Sequence, residues 1–140
     1  TKSIEVILSN VSTNGSGVYA IQIGDSGGLE TSGYLGNVTL HSNSTPVSAD
    51  ATDGFRLTHA NLAGATHSIT GFLSLRLVNA STHTWVGTGQ STNMLSGAVS
   101  GYSLNSTASG KSLSAELTQV RLLNTSGNTW DAGEATIQYF

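Results

Sequence analysis

The chain has 140 residues, a net charge of −3 and only 9% charged side chains, with no Cys and a single Pro. Its length fits one domain over residues 1–140, which can bury a core without a disulfide or metal staple. The missing Cys excludes disulfide scaffolds and thiolate zinc sites. The scattered Lys2, Arg56, Arg76, Lys111 and Arg121 form no basic patch for nucleic acid. No apolar run reaches the ~20 residues of a membrane-crossing helix.

In chain order the hydrophobic period is two almost throughout, which is the signature of half-buried strands. Ile4, Val6 and Leu8 alternate with Glu5 and Ile7, and Tyr19, Ile21 and Ile23 with Ala20 and Gln22. Tyr34, Val38 and Leu40 share a third strand with Gly36, and Phe55 and Leu57 mark a short fourth. Ile69, Gly71, Leu73, Leu75 and Leu77 give the longest alternation. Trp85, Gly87 and Gly89 lie on one face of the next strand, and Val86 on the other. Leu95, Gly97 and Val99 predict a further strand, as do Leu113, Ala115 and Leu117. Val120 and Leu122 run one step out of phase with Leu117, which predicts a β-bulge between them. Ala135, Ile137 and Tyr139 form the last strand, ending at Phe140.

Turn chemistry separates these runs. Asn14-Gly15, Ser26-Gly27-Gly28, Asp53-Gly54, Ser109-Gly110 and Ser126-Gly127 supply residues that tolerate positive φ. Residues 61–66 are the one place for a helical turn, and residues 41–53 form the longest polar loop. The expected architecture is all-β, a single antiparallel β-sandwich or jelly roll of about nine strands.

The loudest motif is Gly24-Asp25-Ser26-Gly27-Gly28, the context of the nucleophile in chymotrypsin-like proteases. That chemistry needs a His base and an orienting Asp, which in that family precede the Ser. Here Ser26 comes too early, in a chain too short for two barrels. The motif therefore reads as a Gly-rich turn after a strand, with Asp25 capping its own backbone. His41, His59, His67 and His83 show no metal-ligand spacing. Asp25, Glu30, Asp131 and Glu134 lack the spacing of a Ca²⁺ loop. No catalytic, cofactor or metal site is expected. Seven Asn-X-Ser/Thr sequons, at Asn10, Asn14, Asn37, Asn43, Asn79, Asn105 and Asn124, follow from a composition in which 39 residues are Ser or Thr.

Five stretches taken in order carry a resemblance. They are residues 7–15 (Ile-Leu-Ser-Asn-Val-Ser-Thr-Asn-Gly), residues 21–34 around the Gly-Asp-Ser-Gly-Gly turn, Thr84-Trp85-Val86, residues 111–122, and residues 130–139. Together they resemble a family of small β-rich structural proteins encoded by tailed bacteriophages. The resemblance implies a virion component and supplies no catalytic residues. The expected role is a decoration (cement) protein on the outer capsid, with the major capsid protein and further copies of itself, as dimer or trimer, for partners. Ile137, Tyr139 and Phe140, with Ile4 and Val6 of the first strand, are the candidate contact residues. The alternative role is a tail-fibre or adhesin domain that binds host glycans through Trp85, Trp130 and the 41–53 loop. Neither role involves a membrane.

Overall fold

A computed structural model describes residues 2–42, 45–60, 65–95 and 103–140. Eleven strands run in chain order: β1 (Ser3–Thr13), β2 (Tyr19–Asp25), β3 (Gly28–Leu29), β4 (Leu35–His41), β5 (Val47–Asp50), β6 (Phe55–Arg56), β7 (His67–Asn79), β8 (Thr84–Leu95), β9 (Leu104–Ser112), β10 (Gln119–Asn124) and β11 (Trp130–Tyr139). They form an all-β sandwich of two antiparallel sheets. The larger sheet has the order β11-β1-β7-β8-β9-β4-β5. In the smaller one β10 pairs with β2, while β3 and β6 both pair with the other side of β2. The smaller sheet is thus only three strands wide.

The alternating apolar residues face each other across the two sheets. Ile4, Val6, Leu8, Leu73 and Leu75 of the large sheet pack against Tyr19, Ile21 and Ile23 of the small one. Phe55 is fully buried because β8 offers it a glycine: a Cβ on Gly87 would stand 2.6 Å from Phe55 Cδ1. Under β8 and β9 the interior turns polar. Asn105 is 1% exposed; its Oδ1 accepts the His59 backbone N–H at 2.9 Å and its Nδ2 donates to Ser91 Oγ at 3.2 Å. Ser91 Oγ in turn donates to the Leu57 carbonyl, tying the segment after β6 to the large sheet.

A second interior polar contact closes a gap in the small sheet. β6 pairs with Ala20 and Ile21 of β2, and β3 with Gly24 and Asp25, so neither reaches Ile23. The Tyr34 hydroxyl takes the missing place. It accepts the Ile23 N–H at 2.9 Å and donates to the Glu30 carbonyl at 3.0 Å. The Tyr34 ring is fully buried, edge-on to Phe55 at 5.3 Å, with Lys111 Nζ 5.3 Å from its centre.

Three sequence expectations are corrected. Among the described residues there are eleven strands rather than about nine, since β5 lies inside the polar 41–53 loop and β3 has two residues. Residues 113–118 are not a strand: they leave the ladder after β9 and bend, because Ser114 and Ala115 are held by the Asp25 carboxylate. The phase change between Leu117 and Val120 is therefore the end of a loop and not a bulge. Register shifts lie instead in β1, between Leu8 and Val11 against β7 and between Ser9 and Thr13 against β11, and in β7, between Leu77 and Asn79 against β8. The helical turn expected at 61–66 falls largely outside the described residues, and so do Gly97 and Val99.

Replacing Tyr34 with Phe leaves the buried Ile23 N–H without its partner, at a cost of about 1–3 kcal/mol. Burial also pushes the Tyr34 phenol up from 10.0 to about 12. Above pH 10 the unfolded chain ionises this tyrosine while the folded chain does not, so its stabilising share is lost as pH rises towards 12. Denaturant melts along a pH series should show the wild type falling more steeply than Tyr34→Phe in that window.

Candidate docking edge and groove

The small sheet does not reach the margin of the large one. β11 pairs with β1 on one side, and among the described residues no strand pairs with its other side. All ten of its residues are exposed. The register aligns Ile4 with Tyr139, Val6 with Ile137 and Leu8 with Ala135. Directly opposed residues of an antiparallel pair point to the same face. Ala135, Ile137 and Tyr139 therefore continue the inward apolar face of β1 past the cover of the small sheet. Ile137 is 37% exposed, Tyr139 63% and Phe140 69%.

Above this margin runs a groove of about 370 Å³. Ile4, Leu77, Trp85 and Tyr139 line it from the large sheet, and Glu116, Leu117, Thr118 and Val120 from the segment leading into β10. His83 completes the wall from the β7–β8 turn, where its φ of +48° is a left-handed conformation. The wall is of mixed polarity, Ile4, Leu77, Trp85, Leu117 and Val120 supplying apolar surface and Glu116, Thr118 and His83 polar groups. Its size sits at the small end of ligand clefts.

Of the contact residues expected from the sequence, Ile137, Tyr139 and Phe140 lie on this open margin. Ile4 and Val6 are 0% and 1% exposed and serve the core, Ile4 also touching the groove floor. The two tryptophans are not brought together. Trp85 is 2% exposed at the Tyr139 end of β11, and its indole N–H has no hydrogen-bond partner among the described residues. Trp130 opens the opposite end of β11, roughly 30 Å away along the strand, and stands edge-on to Tyr19 at 5.1 Å. β5, from the 41–53 loop, is the other edge strand of the large sheet.

The Gly-Asp-Ser-Gly-Gly turn does build a cluster, and it is a clamp. Asp25 is 2% exposed and caps its own turn by accepting the Gly27 N–H at 2.8 Å. It also accepts Ser114 Oγ at 2.6 Å and the Ala115 N–H at 3.0 Å, while its carbonyl accepts Gln119 Nε2 at 2.8 Å. The bonds to its carboxylate, led by the one from Ser114, hold the Asp25 carboxyl below its ordinary value. With the Gln119 bond they pin residues 114–119 over the core and so set the upper lip of the groove. Glu30 pairs with Lys111 at 3.1 Å, and Asp131 accepts the Ser12 hydroxyl. Among the described residues no three His, Cys, Asp or Glu converge as a metal site.

The sequence reading missed the groove's upper wall. Its signal was the phase change before Val120, which marks where the chain leaves one sheet for the other. Comparison with family models, with curated proteins and with solved structures matches none of them to this chain.

Asp25→Asn tests the clamp. A carboxyl held below its ordinary value stabilises the fold above the usual Asp range and loses that share as pH falls through the folded value. The variant should melt below the wild type at neutral pH, and the gap should close in acid. Thermal melts followed by circular dichroism check both parts.

Proposed function

We propose that this chain is a non-enzymatic virion component, a decoration protein that docks as a homo-oligomer on the outer shell of a tailed phage and braces it. The observation that supports this reading best is the open margin, an exposed edge strand whose Ala135, Ile137 and Tyr139 continue the apolar face of β1 beside a groove of mixed polarity. A contiguous exposed apolar face marks a contact surface. The ordered resemblance described above supplies the phage context.

The mechanism is mechanical. Each docked copy withdraws its margin from water together with a matching surface on the shell. Binding to the assembled state alone stabilises that state by mass action. Residues 135–140 carry no ionisable side chain apart from Tyr139, so few ions lose water on contact. A surface rich in Ser, Thr and Asn keeps the remaining faces wet without a strong field of either sign. The glycan alternative draws on Trp130 alone, because the Trp85 ring is closed into the core.

Purified particles of the encoding phage provide the test. The expected result is a copy number that matches the shell lattice, and genome release at lower temperature from particles lacking the chain. A copy number in keeping with the tail, or an unchanged release temperature, overturns the reading.

A further inference from the structure

The free edge of β11 has a defined chemistry. Ser3 and Phe140 exchange two backbone hydrogen bonds, Phe140 N–H to Ser3 O at 2.9 Å and Ser3 N–H to Phe140 O at 3.2 Å. Alternation along an antiparallel ladder then turns the N–H and C=O groups of Gln138, Thr136 and Glu134 towards β1. Those of Tyr139, Ile137 and Ala135 face outward, where no described strand meets them.

The edge is straight over residues 134–140 and stops at Gly133. That glycine has φ +89°, and a Cβ on it would stand 2.4 Å from the Asn10 carbonyl oxygen. It is seated against the β1 bulge, and a kink of this kind ends regular pairing. The straight stretch carries none of the usual guards of a free edge: no Pro, no Lys and a single charge, Glu134.

We propose that this edge pairs with the same edge of a second copy, antiparallel about a twofold axis through Ile137. One register uses all seven straight residues. It sets Ile137 against Ile137 of the partner subunit, Ala135 against the partner's Tyr139, Thr136 against the partner's Gln138, and Glu134 against the partner's Phe140. The outward-facing groups of the two strands then bond to each other, which joins the two large sheets into one. On the inward face the large Tyr139 meets the small Ala135, so the side chains interlock. On the outer face Thr136 and Gln138 are two polar groups within reach of each other. No like-charged side chains are opposed.

The area suits a second copy in dynamic exchange. Ile137, Tyr139 and Phe140 expose about 300 Å² of side chain per copy at ordinary residue sizes. Two copies withdraw up to about 600 Å² plus two backbone edges, short of the ~1,000 Å² that a stable specific interface clears, so the pairing is a weak one. The dimer is therefore concentration-dependent, and crowding on a surface favours it. The inference deepens the self-association part of the proposed function and does not need the shell: a chain that dimerises this way but is absent from particles would sink that reading alone.

The natural absence of Cys makes the register directly readable. Across an antiparallel hydrogen-bonded pair the Cα atoms stand about 5.5 Å apart, within the roughly 4.4–6.8 Å that a disulfide spans. Under mild oxidation Ile137→Cys should cross-link to itself. Ala135→Cys and Tyr139→Cys should link poorly alone but well when mixed. Sedimentation of the wild type should show reversible dimerisation, and Ile137→Lys, whose backbone ladder to β1 is untouched, should weaken it about tenfold or more. Circular dichroism confirms that each variant keeps the fold. Self-linking of Ala135→Cys or Tyr139→Cys at the level of Ile137→Cys, an Ile137→Lys variant that dimerises as well as wild type, or a wild type monomeric up to millimolar chain overturns the proposal.

Discussion

The constraint that shapes this molecule is a mismatch of widths. A seven-stranded sheet faces a partner three strands wide, and at about 4.8 Å per strand the smaller layer covers less than half of the larger. Every other feature handles the remainder. On the β9–β4 side Phe55, Leu57 and Tyr34 fill the space, admitted by Gly87 and tied down by Asn105 and Ser91. On the β1 side the Asp25 clamp draws residues 114–119 partly over the core. Nothing described covers β11, and the apolar face of the large sheet runs out into solvent there.

The solutions at the two flanks differ in kind. The covered flank is closed by polar contacts such as Asn105 to His59 and Ser91 and Tyr34 to Ile23, which fix one geometry. The Tyr34 hydroxyl stands in for a strand that would otherwise be needed beside Ile23. The open flank has an unfilled ladder and apolar side chains, which a partner surface can complete. The proposed contact thus falls where the fold leaves a strand ladder unfilled, at the margin away from the closed interior.

The sequence shows the strands wherever apolar residues alternate, as in Ile4-Val6-Leu8, Ile69 to Leu77 and Ala135-Ile137-Tyr139. It hides β9, because the inward positions Asn105, Thr107 and Ser109 are polar and small; Asn105 is held by His59 and Ser91, and Thr107 by the Asn37 carbonyl. The opposite error arises at Leu113, Ala115 and Leu117, whose alternation is real but whose backbone is captured by Asp25 from a distant turn. Alternation also cannot say which apolar strands lie under cover. Ile4 and Ile137 look alike as sequence, and their exposures of 0% and 37% come from sheet order alone. The margin was therefore legible as residues, but the groove beside it was not, since its walls come from segments more than a hundred residues apart.

Amide hydrogen exchange along residues 134–140 tests the open margin most directly. In the dilute chain, the account predicts an alternating pattern, with slow exchange at Thr136, Gln138 and Phe140 and fast exchange at Ala135, Ile137 and Tyr139. Uniform protection of all these amides in the monomer, or uniform fast exchange, would contradict it.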